Sequence, residues 1–377
     1  MSGRTAERAD QVGLRIGDRE YLGWMNVRIT RSLEQLAATF DVEIHERWPT
    51  LDRPWQIRPF DPCEVYIGED LLIAGHVDVY SAGFGANEHA VRITGRSKTA
   101  DLVDCMSELP GTEFRDADLG AIARAICVPF GIEVVAEADL GAPFNIAALE
   151  KTETAFSFLE RLARLRGVLL TDDPRGRLLI TRTGQAPAAG QLVQGENVLT
   201  GKCELNVSKR FSRYVVLSQL GSLATISPTG NTLPEQLQPG GEDQPDVQGV
   251  AVDPQVPRYR PHVSMAESSS TAPEASQRAR WQAAHAAGRS VRGQMTVVGW
   301  RQDDGALWAV NRMVPCRVPF LQLDRDLLIA GVTFQLDAQG RRTELELGPP
   351  EGFTPEPLSQ ERAVRSGADS WTPRPFS

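Results

Sequence analysis

Asp70–Gly75 reads DLLIAG, and Asp326–Gly331 reads DLLIAG again. For average composition, a shared six-residue word in a chain of this length has a chance of about one in a hundred. Neither copy lies in low-complexity sequence, so the repeat points to a duplicated module. The surroundings agree. VYIGE precedes the first copy and VPFLQLDR the second, and alternating segments follow, Val77-Asp78-Val79-Tyr80 and Val332-Thr333-Phe334-Gln335-Leu336. Each copy reads as a β-hairpin of one small barrel or sandwich.

Upstream of the first copy, Val27 and Ile29 alternate with Arg28 and Thr30, a half-buried strand pattern. Ser32 and Gln35 then have capping-box spacing, and Leu33, Leu36 and Phe40 recur at helical intervals before Val42 and Ile44 resume alternation. The spacing predicts strand, short helix, strand. Ahead of the second copy, Leu205 and Val207 alternate, Ser208–Phe211 interrupts, and Tyr214, Val216 and Leu217 resume a strand. This echo stands far from its hairpin, so the second module is expected to be split by an insertion.

The expected fold class is α+β, mainly β, with two related small β-barrel domains, a small α+β domain and an irregular or helical insertion. The first barrel takes 1–108, with Gly75 and the Gly83/Gly85 pair as turns. The α+β domain takes 109–190, with helices over Asp116–Phe130 and Phe156–Leu165, the latter capped by Gly167, and a hairpin of Val168–Leu170 and Leu178–Ile180. The second barrel takes 191–222 and 293–350, and the insertion 223–292. Within the insertion, Thr225–Arg260 is rich in Pro, Gly, Asp and Gln and reads as loop or arm. EASQRARWQAAHAA reads as a helix whose only large apolar side chain, Trp281, packs on a partner surface. Past Pro349 the sequence has no periodicity, and 351–377 is expected to be a flexible tail.

The 377 residues include 40 Lys and Arg against 49 Asp and Glu, a net charge of −9. That balance argues against clasping nucleic acid through a basic surface. No stretch approaches the roughly 20 apolar residues that span a bilayer, and MSGRTAERADQVG has no apolar signal segment. Folding in the cytoplasm, without stable membrane insertion, is the expectation. Five cysteines, Cys63, Cys105, Cys127, Cys203 and Cys316, lack CxxC spacing and read as free, mostly buried thiols.

Catalytic signatures are sparse. There is no GxxxxGK[ST], HExxH or GxSxG, and the histidines His45, His76, His89, His262 and His285 show no ligand spacing. His76 and Asp78 share a strand face, but two ligands without a third make no metal site. Asp172-Asp173 and Asp303-Asp304 read as turn formers. The tryptophans Trp24, Trp48, Trp55, Trp281, Trp300, Trp308 and Trp371 could form a sugar platform, although four lie in β-module segments where core or interface is the commoner role. No catalytic, cofactor-binding or metal residue is assigned, and no cofactor is expected.

An ordered set of motifs carries a resemblance. VRITRSLEQLAATFDVEI (27–44), VYIGEDLLIAGHVDVY (65–80), ITGRSKTADLVDC (93–105), FLERLARLRGVLLTDDPRGRLLITR (158–182) and the run from Val297 to Leu347 resemble the baseplate hub proteins of contractile-tailed phages. The nearest likeness is to the tail protein P family of Mu-like phages. More distantly the chain is similar to the late control protein D family and the first half of type VI secretion spike proteins.

The resemblance implies a non-enzymatic virion protein of the tail baseplate, assembled in the host cytoplasm. It implies a homotrimer whose two barrels per chain make a pseudo-sixfold ring between a sixfold tail tube and a threefold spike. The partners implied are other copies of the chain, the trimeric spike, the tube or tube-initiator protein and other baseplate proteins. DNA would pass through the channel without specific binding. A tail-associated cell-wall hydrolase and a surface glycan-binding β module remain the alternatives.

Overall fold

A computed structural model describes residues 10–46, 57–85, 89–109, 111–150, 152–184, 186–218, 247–266 and 271–356. Five strands carry the first module: Asn26–Ser32 (β1), Gln35–Glu46 (β2), Pro62–Ile67 (β3), Asp70–Phe84 (β4) and His89–Ser97 (β5). They pair antiparallel in the spatial order β1-β2-β5-β4-β3. Five later strands repeat the arrangement: Val198–Leu205 (β6), Val291–Val298 (β7), Arg312–Val318 (β8), Leu323–Asp337 (β9) and Gly340–Gly348 (β10). Their order is β6-β7-β10-β9-β8, again antiparallel throughout.

The repetition extends to irregularities. Asp78 bulges out between Val77, opposite Gly95, and Val79, opposite Thr94. Ala330 bulges out between Ile329, opposite Leu347, and Gly331, opposite Glu346. Both bulges are related by one displacement, 330 − 78 = 252, and so are their partners, 347 − 95 = 252. A left-handed residue precedes each of β3 and β8. Phe60 (φ 73°) donates its N–H to Val77 O at 2.8 Å, and Asn311 (φ 61°) donates to Ile329 O at 2.9 Å. Bulges redirect a strand and are placed features rather than noise, so matching bulges identify equivalent positions.

The two hexapeptides lie on equivalent strands, β4 and β9, but not at equivalent positions. Their displacement is 326 − 70 = 256, four more than 252. The word opens β4 at Asp70, whereas in β9 it follows Leu323, Asp324 and Arg325, so the two strands begin at nearly equivalent positions and the word lies deeper in β9.

The halves are not separate. The second part of β9 pairs with β1, from Gly331 opposite Ser32 to Leu336 opposite Val27, and one sheet runs through both modules. Their cores merge: Leu14, Ile29, Phe40, Ile73 and Ile93 belong to the same buried cluster as Met295, Trp300, Val314, Phe334 and Leu345.

Several sequence expectations are corrected. No helix interrupts β1 and β2. Ser32 Oγ accepts from Glu34 N–H in a turn, and Leu36, Ala38, Phe40, Val42 and Ile44 alternate inward along β2, all buried. Gly75 is no turn but lies inside β4, where a Cβ would stand 1.8 Å from Arg96 O; only glycine admits that backbone approach. Gly83 also lies within β4.

Arg213–Ser218, expected in the second barrel, instead centres a three-stranded sheet with Val247–Val252 and Pro261–Met265. The helix Ala272–Arg289 crosses that sheet, seating Ala275 and Ala279 against Val216. Trp281 packs within the chain: it stacks on His285 at 4.5 Å and donates to Thr354 O at 3.2 Å. The start of the expected tail is likewise packed, because Pro350–Phe353 is a 3₁₀ turn and Phe353 joins Leu328 and Ala330 in a small core. Residues 219–246 and 357–377, with most of the expected loop and tail, lie outside the described residues.

The middle block contains helices Ala100–Asp104 (α1), Leu119–Cys127 (α2) and Ala155–Arg166 (α3). Asp118 caps α2 by accepting from Ala121 N–H at 2.7 Å, and Gly167 closes α3 in the left-handed conformation. Leu169–Asp172 and Leu178–Thr181 form the expected hairpin. Leu36 of β2 reaches into this block's core beside Leu102 and Phe158.

Candidate functional site

The surfaces with a functional signature are sheet edges. At the joined edge, Ile29 of β1 stands opposite Phe334 of β9, and both are fully buried. The hydroxyls of Thr30 and Thr333 lie 3.1 Å apart, and Leu33 N–H donates to Ala330 O at 2.8 Å. Glu34 closes the border by receiving Arg289 at 2.5 Å and Arg292 at 3.0 Å. A strand edge presents unpaired N–H and C=O groups that another strand can take up, and here β9 and β1 satisfy one another.

The equivalent edges are open. The segment of β4 that corresponds to Gly331–Gln335 is Val79–Gly83, and among the described residues no strand pairs along its outer side. The strand equivalent to β1 is β6, whose ladder partner among the described strands is β7 alone. The exposures separate joined from open edges: Val79 is 51% exposed, Leu199 53% and Leu205 51%, against 0% for Ile29 and Phe334. Exposed apolar residues on an uncapped edge mark a surface built to be covered.

A second feature fixes the middle block to the first module. Arg31 on β1 donates 2.7 Å hydrogen bonds to Leu72 O, Asp172 O and Asp172 Oδ1. The other carboxylate oxygen accepts from Ala38 N–H at 3.3 Å. Burial pushes the Asp172 carboxyl above the usual range, and Arg31 pulls it back. In sequence Asp172 and Asp173 look alike as turn formers. Asp173 is one, receiving Arg175 and Arg177 N–H groups; Asp172 is a buried anchor.

Other candidates are engaged elsewhere. Asp78 pairs with Arg96 at 2.7 Å, and Arg96 also holds Asp104 at 2.8 Å. Asp304 accepts from Ala306 N–H in its turn. Trp24, Trp300 and Trp308 are buried, so these three present no platform to a sugar, whereas Trp48, Trp55 and Trp371 lie outside the described residues. Burial pushes the thiols of Cys63, Cys127 and Cys316 up to about 12, which keeps them protonated and poor nucleophiles at neutral pH. Among the described residues no group of three or more His, Cys, Asp and Glu could hold a metal, and no helix is long and apolar enough to cross a membrane.

Residues 11–97 match a model of the Mu phage baseplate assembly protein GpP-like N-terminal domain, residues 99–182 a model of the second domain of gp44-like baseplate hub proteins, and residues 271–356 a model of the fourth domain of GpP. Baseplate hub protein gp44 of Escherichia phage Mu is 31% identical over 367 residues, 96% of this chain and 93% of that protein. The 43 kDa tail protein of prophage MuSo2 from Shewanella oneidensis has the same fold with TM-score 0.79 and 31% identity, over 92% of this chain and 99% of that one. A tail protein of Neisseria meningitidis matches with TM-score 0.74 and 21% identity, over 93% and 99%.

Proposed function

The chain belongs to the Mu-like phage baseplate hub protein family, and from this premise we propose that it forms a homotrimeric ring adapting a sixfold tail tube to a threefold spike. Family membership gives it a structural role in the phage tail baseplate and hence a place in the virion. The observation that carries the finer reading is the repeated five-stranded unit, matched down to its bulges at Asp78 and Ala330. Two quasi-equivalent units per chain give three chains six units around an axis, which is what a tube of six subunits needs to meet. The same ring keeps strict threefold symmetry for a trimeric spike.

In this reading the repeat units are the barrel-type domains of residues 1–108 and of 191–205 with 293–350. The 109–190 block buttresses the first through Arg31 and Asp172, and residues from about 206 to 292 form an arm available to the spike, the tube or other baseplate proteins. Assembly takes place in the host cytoplasm. The work done is rigid assembly, not bond chemistry. The net charge of −9 suits a channel through which DNA slides without being held.

Native mass by light scattering tests the proposal. A trimer of 3 × 41.3 = 123.9 kDa is expected, alone or with spike protein added. A chain that stays at 41.3 kDa in both conditions overturns it.

A further inference from the structure

The residues that interrupt the strand pattern ahead of Tyr214 build one wall of a cavity on the arm. Phe211 stacks on His262 at 4.8 Å and meets Tyr214 edge to face at 5.9 Å. Tyr214 and His262 come together because the strands Arg213–Ser218 and Pro261–Met265 pair parallel with these two residues opposite. The helix Ala272–Arg289 supplies a second stack, Trp281 on His285 one turn later, at 4.5 Å. Ala275 and Ala279 seat that helix on the sheet, and Gln282 Nε2 donates to Ser264 Oγ at 3.1 Å. Both stacks line one cavity of about 640 Å³, the size of a small-molecule site.

The polar part of the wall is biased toward donors. Its acceptors are taken within the chain: Glu204 receives Asn206 Nδ2–H at 3.1 Å, and Asn206 Oδ1 receives the Ser208 hydroxyl at 2.6 Å. Lys209, Arg289 and Arg292 line the cavity against a single acidic side chain, Glu204. Arg289 and Arg292 share one carboxylate, Glu34, at 2.5 and 3.0 Å. Lys209 has no ion pair among the described residues. A concentration of positive charge in a chain of net charge −9 selects an anion, and guanidinium groups match phosphate and carboxylate.

We propose that this cavity binds a flat aromatic ring carrying a phosphate, a ligand of the nucleoside monophosphate class. The ring lies against the Phe211/His262 and Trp281/His285 stacks, and the phosphate is held by Lys209, Arg289 and Arg292. Stacking of a base on aromatic side chains contributes about five- to a hundredfold in affinity. A phosphate monoester brings about 1.5 to 2 negative charges at neutral pH, which suits three cations better than a carboxylate does. All of these residues come from one chain, so the site does not depend on the homotrimer reading.

Isothermal titration calorimetry of the full chain tests the site with adenosine 5′-monophosphate, adenosine, inorganic phosphate and N-acetylneuraminate as probes. Lys209→Gln removes an exposed, unpaired cation, and His262→Ala removes one ring of the first stack. Hydrogen exchange at Arg213–Ser218 checks that the arm sheet stays folded in each. The nucleotide should bind at least about tenfold more tightly than adenosine or phosphate, and its affinity should fall at least about fivefold in both variants with exchange protection unchanged. Nucleotide bound no better than phosphate, or bound equally well by Lys209→Gln, overturns the site. N-acetylneuraminate bound as tightly as the nucleotide overturns the aromatic ring in favour of an acidic sugar. No binding of any probe overturns the proposal outright.

Discussion

Replacing Arg31 by Met would test how the middle block is held to the sheet of the first module. The guanidinium serves three acceptors at 2.7 Å, namely Leu72 O, Asp172 O and Asp172 Oδ1, and both partners are nearly sealed from water, Arg31 at 8% exposure and Asp172 at 5%. Met fills similar volume but donates nothing. Two buried carbonyls lose a donor and a buried carboxylate loses its counter-charge, a combination that costs about 3–5 kcal/mol when one partner of a buried pair is removed. Local opening between Leu169–Asp172 and β2 should then be easier by about two to three and a half powers of ten, at 1.4 kcal/mol per tenfold. Native-state hydrogen exchange reads this as lost protection at those amides.

The pH dependence has a definite sign. Burial already holds the Asp172 carboxyl above its ordinary range, and loss of Arg31 raises it further. A carboxyl whose folded-state pKa exceeds its unfolded one contributes stability at low pH that is lost as pH rises through the folded value. The deficit of Arg31→Met relative to the parent should therefore shrink on acidification and be largest at neutral pH. Arg31→Met/Asp172→Leu should recover part of the loss, since an apolar pair leaves no buried charge. An Arg31→Met protein with protection reduced less than about fivefold, or with a deficit independent of pH, would refute the reasoning.

Three further outcomes follow from the packing. Gly75→Ala forces a Cβ to within 1.8 Å of Arg96 O and should cost about 1–3 kcal/mol or more by parting β4 from β5, seen as lost exchange protection at Val77 and Gly95; unchanged protection would contradict the close approach. At pH 8 a thiol reagent should modify exposed Cys105 rapidly, while Cys63, Cys127 and Cys316, pushed up to about 12 and buried, should react only on unfolding. Phe353→Ala should cost about 3–5 kcal/mol by emptying the site beside Leu328 and Ala330, with early proteolysis near Pro350 as the readout and an unaltered digest as the contrary result.

The duplication was legible because strands of one module keep similar local sequence, but the legible word misled in detail. DLLIAG marks β4 and β9 correctly and misses their structural register by four residues, since register is set by the connections and bulges and not by side-chain identity. Helical spacing at Leu33, Leu36 and Phe40 competed with strict alternation from Leu36 to Ile44, and the longer period-two run won because its five residues all face the core. Asp172 was unreadable as an anchor because its partner lies 141 positions away and nothing local distinguishes it from Asp173. The same limit applies to the join of β9 to β1, with Thr30 and Thr333 separated by 303 positions. The open edges could be recognised only once the closed ones had been seen.

The most direct test of the account is an averaged electron-microscopy reconstruction of the purified chain, with spike protein added if the chain alone is dispersed. The expected result is a threefold ring in which six similar five-stranded units surround a channel. An oligomer whose repeat units do not share one axis, or chains that stay separate with β4 and β6 facing solvent, would contradict it.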